Sequence, residues 1–310
     1  MIKWTDYLFV NAATLLWAGN VVLGRALRDA VGPWTLAAIR GAIASVLFGL
    51  LLWRTRAGPK GATRKDWGLI AAMALTGVVG FQVLLYAGLR STTAVNAGLV
   101  NAAGPLVTVF LARLLLGTPL ARQHVIGGLV SLVGVAVILS RGSWEILTSL
   151  RFNPGDLLVL AAVVCWALYS IAGRRLLERH PTVWVTATST VLGALVLLGP
   201  AAWEWGALPP RWSPGVVAAL LYIGAGPSFV AFLAWNEGVR RLGPSGAMAF
   251  YNTLPLYAGF VAALALGELP GPAQWWEGCS WWADASWPPG FRALTPRPGP
   301  PTVSALRRHR

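Results

Sequence analysis

The sequence predicts an all-α polytopic membrane protein: two inverted five-helix repeats, a ten-helix design whose tenth helix is atypical or lost. Three observations carry that reading. Hydrophobic residues make up 56 % of the 310-residue chain and charged residues 12 %, with a mean hydropathy of +0.61. Soluble proteins carry about twice that charged share, and eleven acidic side chains cannot cover a soluble domain of this size. Nine windows free or nearly free of charge are each long enough to cross a hydrocarbon core of about 30 Å. Finally, the chain repeats itself at an offset of 149 to 150 residues.

The first window, 7–24, runs on from the N-terminus without an A-x-A-like cleavage site and reads as an anchor. The second, 30–53, is broken only by Arg40. The third and fourth, 67–89 and 91–112, are separated by Arg90, and the fifth, 123–140, starts past Arg122. The sixth to ninth, 157–173, 181–203, 212–236 and 242–267, are bounded by Asp156, Arg174, Glu204, Arg211, Glu237 and Glu268. None alternates apolar and polar residues as barrel strands do. The 35 glycines, and small pairs such as Gly127 and Ser131, suit close helix packing in lipid.

The net charge of +14 is spread over the window ends instead of one basic face, which argues against nucleic acid as a partner. With the N-terminus inside, the inner connections hold thirteen Lys and Arg, among them Arg54, Arg56, Lys60, Arg64 and Lys65. The outer ones hold six: Arg25, Arg28, Arg90, Arg141, Arg151 and Arg211. The excess predicts a cytoplasmic N-terminus.

Trp17, Gly24 and Arg25 recur as Trp166, Gly173 and Arg174, and Gly88, Arg90, Pro105 and Gly117 as Gly238, Arg240, Pro255 and Gly267. The predicted organisation is a first repeat over 7–140, a linker over 141–155 and a second repeat over 156–268. A Trp/Pro/Arg-rich tail over 269–310 stands in place of the tenth span. An odd number of spans per unit forces the second to enter the membrane from the opposite side. Inverted repeats are a transporter design, with substrate held near the midplane between halves that rock.

Several segments then resemble a known family: Trp17-Ala-Gly-Asn20, Leu36-Ala-Ala-Ile-Arg40, Asn96-Ala-Gly-Leu-Val-Asn101-Ala-Ala-Gly-Pro105, Cys165-Trp-Ala-Leu-Tyr169, Trp235-Asn-Glu-Gly-Val-Arg240 and Leu266-Gly-Glu268. In order, spacing and duplication the chain resembles the EamA-type transporters of the drug/metabolite transporter superfamily, over most of residues 7–270. The resemblance implies ten helices and export of small, amino-acid-like metabolites or drugs across a cytoplasmic membrane. Thr118 departs from the Glu that often follows the fourth helix there, whereas Glu268 keeps it.

Arg40 lies about 15 Å of helix from the nearer window end, too deep for its guanidinium to reach water by snorkelling alone. It is read either as counter-charge to an anionic or zwitterionic substrate or as a structural bond to helix-end carbonyls. Pro105 and Pro255, at matching positions of the fourth and ninth spans, are expected helix breaks, either kinks or contact points. Asn96, Asn101, Tyr251 and Asn252 cluster near them, and Asn20 and Gln82 lie elsewhere. All should face inward, as interhelical glue or as substrate contacts. Trp166 and Tyr169 lie one turn apart and can stack on a ring or pack internally. Glu237 beside Arg240 and Arg241 reads as a headgroup-level ion pair, and His124 as an interface residue.

Two cysteines, Cys165 and Cys279, and three histidines suggest neither a disulfide framework nor a metal site, and no cofactor is expected. The expected partners are a small-molecule substrate, the lipid bilayer and, as a candidate, a second copy of the chain. A membrane-embedded enzyme needs converging acids, histidines or a nucleophile with its base. No Asp lies inside a span and Cys165 has no nearby His, so the chain is read as a non-enzyme; a passive channel stays open as the alternative. In the tail, Glu277, Asp284 and Pro288-Pro289 fall where an apolar span is expected. Arg (22) far outnumbers Lys (3), the mark of a GC-rich gene. A shifted frame of such a gene yields Trp, Pro, Arg, Gly and Ala, so the tail is read either as a frameshift near 269–275, which would leave an inactive copy, or as a genuine divergent tail.

Overall fold

The computed structural model describes residues 4–59, 61–101, 103–117 and 153–251, together with 254, 257 and 261. The expected fifth span, Thr118, His124, Asn252, Pro255, Cys279 and the tail lie outside the described residues. Among those described, six helices are long and apolar enough to cross a membrane, joined by the shorter apolar helix Gly104–Leu116. The protein is a polytopic, all-helical membrane protein.

Helix α1 (Trp4–Ala26) is followed by α2 (Pro33–Thr55). The third span consists of α3 (Arg64–Met73), a π-helical segment (Ala74–Gly80) and α4 (Phe81–Leu89). Its start is fixed by a capping box: the Thr63 hydroxyl accepts from the Asp66 amide at 3.3 Å, and Asp66 accepts from the Thr63 amide at 2.8 Å. The fourth span is split in two, α5 (Ala94–Asn101) and α6 (Gly104–Leu116). Pro105 sits in the first turn of α6, where its missing N–H costs little, so it opens a helix instead of bending one.

The second half repeats the plan. Helix α7 (Pro154–Arg179) is capped by Asn153, which accepts from the Gly155 amide at 2.9 Å. Then come α8 (Thr182–Ala207), α9 (Pro214–Ala225), a second π-helical segment (Gly226–Val230) and α10 (Ala231–Tyr251). Helix α10 is broken at Gly243, whose φ of 77° only glycine adopts without strain, just before Pro244. The two π segments end at Gly80 and Val230, positions that correspond under the 150-residue offset.

The connections gather at two ends. At one end the Arg211 amide donates to the Ala30 carbonyl at 2.8 Å, Asn153 donates to the Ser91 carbonyl at 2.9 Å, and Thr92 bonds Asp156. At the other, Arg179 reaches Asp66 at 3.0 Å with buried His180 alongside at 3.4 Å, and Glu237 accepts from Thr182, Arg240 and Arg241. The expected ion pair at Glu237 is present. Exposed tryptophans mark both levels, Trp53 and Trp67 at the second end and Trp203, Trp205 and Trp212 at the first. Such rings suit the headgroup region, while Leu50, Val46, Leu195, Leu198 and Leu221 face outward between them.

Matching contacts recur at opposite ends. Arg25 Nη1 donates to the carbonyls of Leu89 and Arg90 at 3.0 and 3.4 Å. Arg174 Nη1 donates to those of Val239 and Arg240 at 3.2 and 3.4 Å. Crosswise packing follows the same rule: Gly88 on α4 meets Val159 of α7, and Gly238 on α10 meets Val10 of α1. Each of these glycines lets the first helix of one half approach the third span of the other.

Glu204, buried near the end of α8, accepts the Thr35 amide at 2.7 Å and caps the open N-terminus of α2, where Gly32 offers no side chain. A charge-assisted cap of this kind stabilises by roughly 1–2 kcal/mol. Glu204→Ala should therefore lower the unfolding midpoint of the purified protein by a few degrees. An unchanged melting curve would show that the cap contributes nothing.

Candidate functional site

Arg40 lies on α2 at 2 % exposure, deep among helices of both halves. Its Nε donates to Ser228 Oγ at 2.6 Å; its Nη1 donates to the Tyr86 hydroxyl at 2.6 Å and to Gln82 Oε1. Tyr86 in turn donates to Asn20 Oδ1 at 2.6 Å, and Ser228 to the Ile223 carbonyl at 2.7 Å. Ser228 belongs to the second π segment, whose widened turn leaves a carbonyl five residues back within reach of its hydroxyl. The guanidinium is thus held by side chains, not by the helix-end carbonyls that formed one expectation. Among the described residues no carboxylate pairs with it.

A small cavity opens beside it, lined by Ala37, Arg40, Gly41, Val78, Gln82, Thr190, Ser228 and Phe232, with room for about one water molecule. Three pairs of these residues correspond under the 150-residue offset: Arg40 with Thr190, Val78 with Ser228, and Gln82 with Phe232. The cavity therefore lies where equivalent faces of the two halves meet. Two polar groups on its wall have no hydrogen-bond partner, Arg40 Nη2 and Thr190 Oγ1. Thr14, Thr76 and Thr186 bond the carbonyl one turn back on their helices, at 2.9, 2.7 and 2.8 Å; Thr190 does not.

Phe232 links the cavity to a cluster of rings. Trp166 and Tyr169 stack on each other at 4.8 Å and 19°, and Phe232 meets them edge-on at 5.3 and 5.7 Å. Trp17, Phe81 and Trp235 close the cluster around Trp166, at 5.0, 5.0 and 5.5 Å. The Tyr169 hydroxyl accepts from Asn236 Nδ2 at 2.6 Å. This bond repeats the one from Tyr86 to Asn20 with the residue types exchanged, since position 20 corresponds to 169 and 86 to 236.

Of the residues singled out by sequence, Arg40 and Gln82 line the cavity, and Asn20 stands behind them, joined through Tyr86. Trp166 and Tyr169 lie one ring away, stacked on each other. Asn101 stands apart on α5 and bonds the Ala97 carbonyl of its own helix at 2.7 Å. Thr190, Ser228 and Phe232 were not anticipated, although carrying Arg40, Val78 and Gln82 across the repeat offset points to them.

The EamA-like transporter family model matches the chain twice, over residues 4–140 and 153–279. Among curated relatives, the "Probable terminal-alkyne amino-acid exporter" of Streptantibioticus cattleyicolor is 31 % identical over 83 % of this chain and 84 % of its own length. The "Uncharacterized transporter YyaM" of Bacillus subtilis is 29 % identical over 76 % and 77 %. The "Aromatic amino acid exporter YddG" of Ancylobacter novellus is 29 % identical over 74 % and 77 %. One solved crystal structure, at 24 % identity, shares the fold with a TM-score of 0.64 over 90 % of this chain and 94 % of that one.

Proposed function

Because the chain belongs to the EamA-like transporter family, we propose that it is a secondary transporter that exports small, amino-acid-like metabolites or drugs from the cytoplasm. It works by alternating access between two inverted repeats of a five-helix plan, over 7–140 with five spans and 156–268 with four. The observation that carries this reading is the cavity itself. Equivalent positions of both halves line it, it holds a buried cation, and it lies between helices whose contacts recur at opposite ends. A site on the junction of two repeats can be opened to either side by rocking one half against the other. Two relatives whose names specify amino-acid export support the substrate class. The family and these relatives are transporters, which weighs against a membrane-embedded enzyme.

Reconstituted into proteoliposomes, the protein should accumulate or release at least one labelled amino-acid-like solute from a broad panel, with saturation and counterflow. Flux that rises linearly with concentration and shows no counterflow would favour the channel reading instead. Sidedness has its own check. With the N-terminus cytoplasmic, single cysteines placed in the 54–66 and 204–211 connections should label from opposite faces of intact cells. Labelling from one face would end the inverted arrangement.

A further inference from the structure

We propose that the cavity is a carboxylate site whose two free donors come one from each half, Arg40 Nη2 and Thr190 Oγ1. The inference rests on the transporter reading above and names the chemistry that this site recognises. Around the guanidinium, every neighbour already has its role. Gln82, Tyr86 and Ser228 accept from Arg40, and the Tyr86 and Ser228 hydroxyls spend their own protons on Asn20 and the Ile223 carbonyl. Left over on the wall are the N–H groups of Nη2 and a threonine hydroxyl, donors with nothing to donate to. A buried, uncompensated cation beside unsatisfied donors calls for a ligand that brings both negative charge and acceptor oxygens.

A planar carboxylate meets that need: one oxygen on the guanidinium edge and the other on the hydroxyl. A phosphate brings more oxygens and more charge than one guanidinium and one hydroxyl can serve. The rest of the lining, Ala37, Gly41, Val78 and Phe232, is apolar or small. It offers no further donor to an inorganic anion, and because the closed cavity has room for about one water molecule, an organic acid enters it only as the halves part. Positions 40 and 190 correspond across the repeat, so the two donors approach the ligand from opposite sides of the junction. Binding thereby ties the halves together, and its strength depends on how closely they stand.

The test uses purified wild-type protein and pairs of probes that differ only at the carboxyl group: propionate with propionamide, and phenylalanine with phenylalaninamide. Binding is read as thermal stabilisation in detergent, and transport as uptake by proteoliposomes. At least one acid should bind about tenfold or more tightly than its amide, the expected weight of charge-assisted bonds. Thr190→Val should weaken that acid about tenfold and leave the amide unchanged, while Thr190→Ser restores acid binding. Equal binding of acid and amide, or an unaltered Thr190→Val, overturns the clamp. So does stabilisation by chloride or phosphate as strong as by any acid. Saturable transport of neutral or cationic solutes with no carboxylate bound would sink the clamp and leave the transporter reading standing. Tight carboxylate binding without counterflow would do the reverse.

Discussion

Replacing Arg40 by methionine is expected to abolish transport while making the protein more stable. The two effects have one cause. A guanidinium at 2 % exposure with no carboxylate beside it among the described residues is costly to bury, and three hydrogen bonds to neutral groups offset only part of that cost. Methionine fills most of the same volume with no charge to desolvate. Tyr86 keeps its bond to Asn20 and Ser228 its bond to the Ile223 carbonyl, so only Gln82 loses its partner among these residues. The net gain is about 1–3 kcal/mol, read as a rise of a few degrees in the unfolding midpoint. Transport should fall by about a hundredfold or more, because the variant lacks the cation that Arg40 places on the cavity wall.

Arg40→Ala should also be inactive, yet still insert and reach the membrane. Its stability will be lower than that of the methionine variant because it leaves a void. Uptake by proteoliposomes and thermal unfolding of the same preparations decide the matter. Full transport in either variant would remove Arg40 from the mechanism. Loss of transport together with a large loss of stability in the methionine variant would make Arg40 a structural residue. A stability gain with loss of function is the pattern of a residue kept for its ligand.

Much of this architecture was legible because its signals are local. Charged residues end each apolar window, and Trp17, Arg25 and Gly88 recur as Trp166, Arg174 and Gly238 without any need of coordinates. The caps at Thr63, Asn153 and Ser213 are ordinary start signals. Window ends were less faithful than window centres. Glu237, Arg240 and Arg241 closed the eighth window at residue 236, yet the helix runs on to Leu242. Headgroup-level charges do not stop a backbone; Gly243 and Pro244 do.

The parts that escaped depend on contacts between distant segments. Thr190 and Ser228 are small and mildly polar, so they vanish in a hydropathy window, and only their place opposite Arg40 gives them meaning. Glu204 was read as the boundary of a span, whereas its carboxylate reaches another helix and caps Thr35. The π segments, Ala74–Gly80 and Gly226–Val230, have no composition signal of their own, because their i→i+5 bonding leaves no mark on the apolar pattern. Asn101, read as interhelical glue or as a substrate contact, bonds the carbonyl of Ala97 one turn earlier on its own helix.

Placing a valine at Gly224 should prevent assembly of the two halves. A Cβ there would come within 2.6 to 2.9 Å of the Cγ2, Cβ and Cδ1 atoms of Ile43, where α9 of the second half crosses α2 of the first. Ile43 cannot swing clear, because its own Cβ is among the overlapping atoms and its branch is stiff at χ1. The equivalent crossing uses the opposite choice of bulk: position 193, which corresponds to 43, is glycine, and a Cβ on it would lie 2.5 Å from Val78 Cβ and 3.2 Å from the Ala74 carbonyl. One crossing therefore puts the bulk on the second span and the other puts it on the third, and each leaves no room for more. Overpacking of this kind costs about 1–3 kcal/mol for a single methyl and more for a branched side chain. Gly224→Ala should lower stability measurably, and Gly224→Val should give little monodisperse protein on size exclusion. Pairing Gly224→Ala with Ile43→Ala should recover part of the loss, with a coupling of about 0.5–3 kcal/mol expected of residues in direct contact. Strictly additive effects of the two substitutions would mean that the helices do not cross at this point.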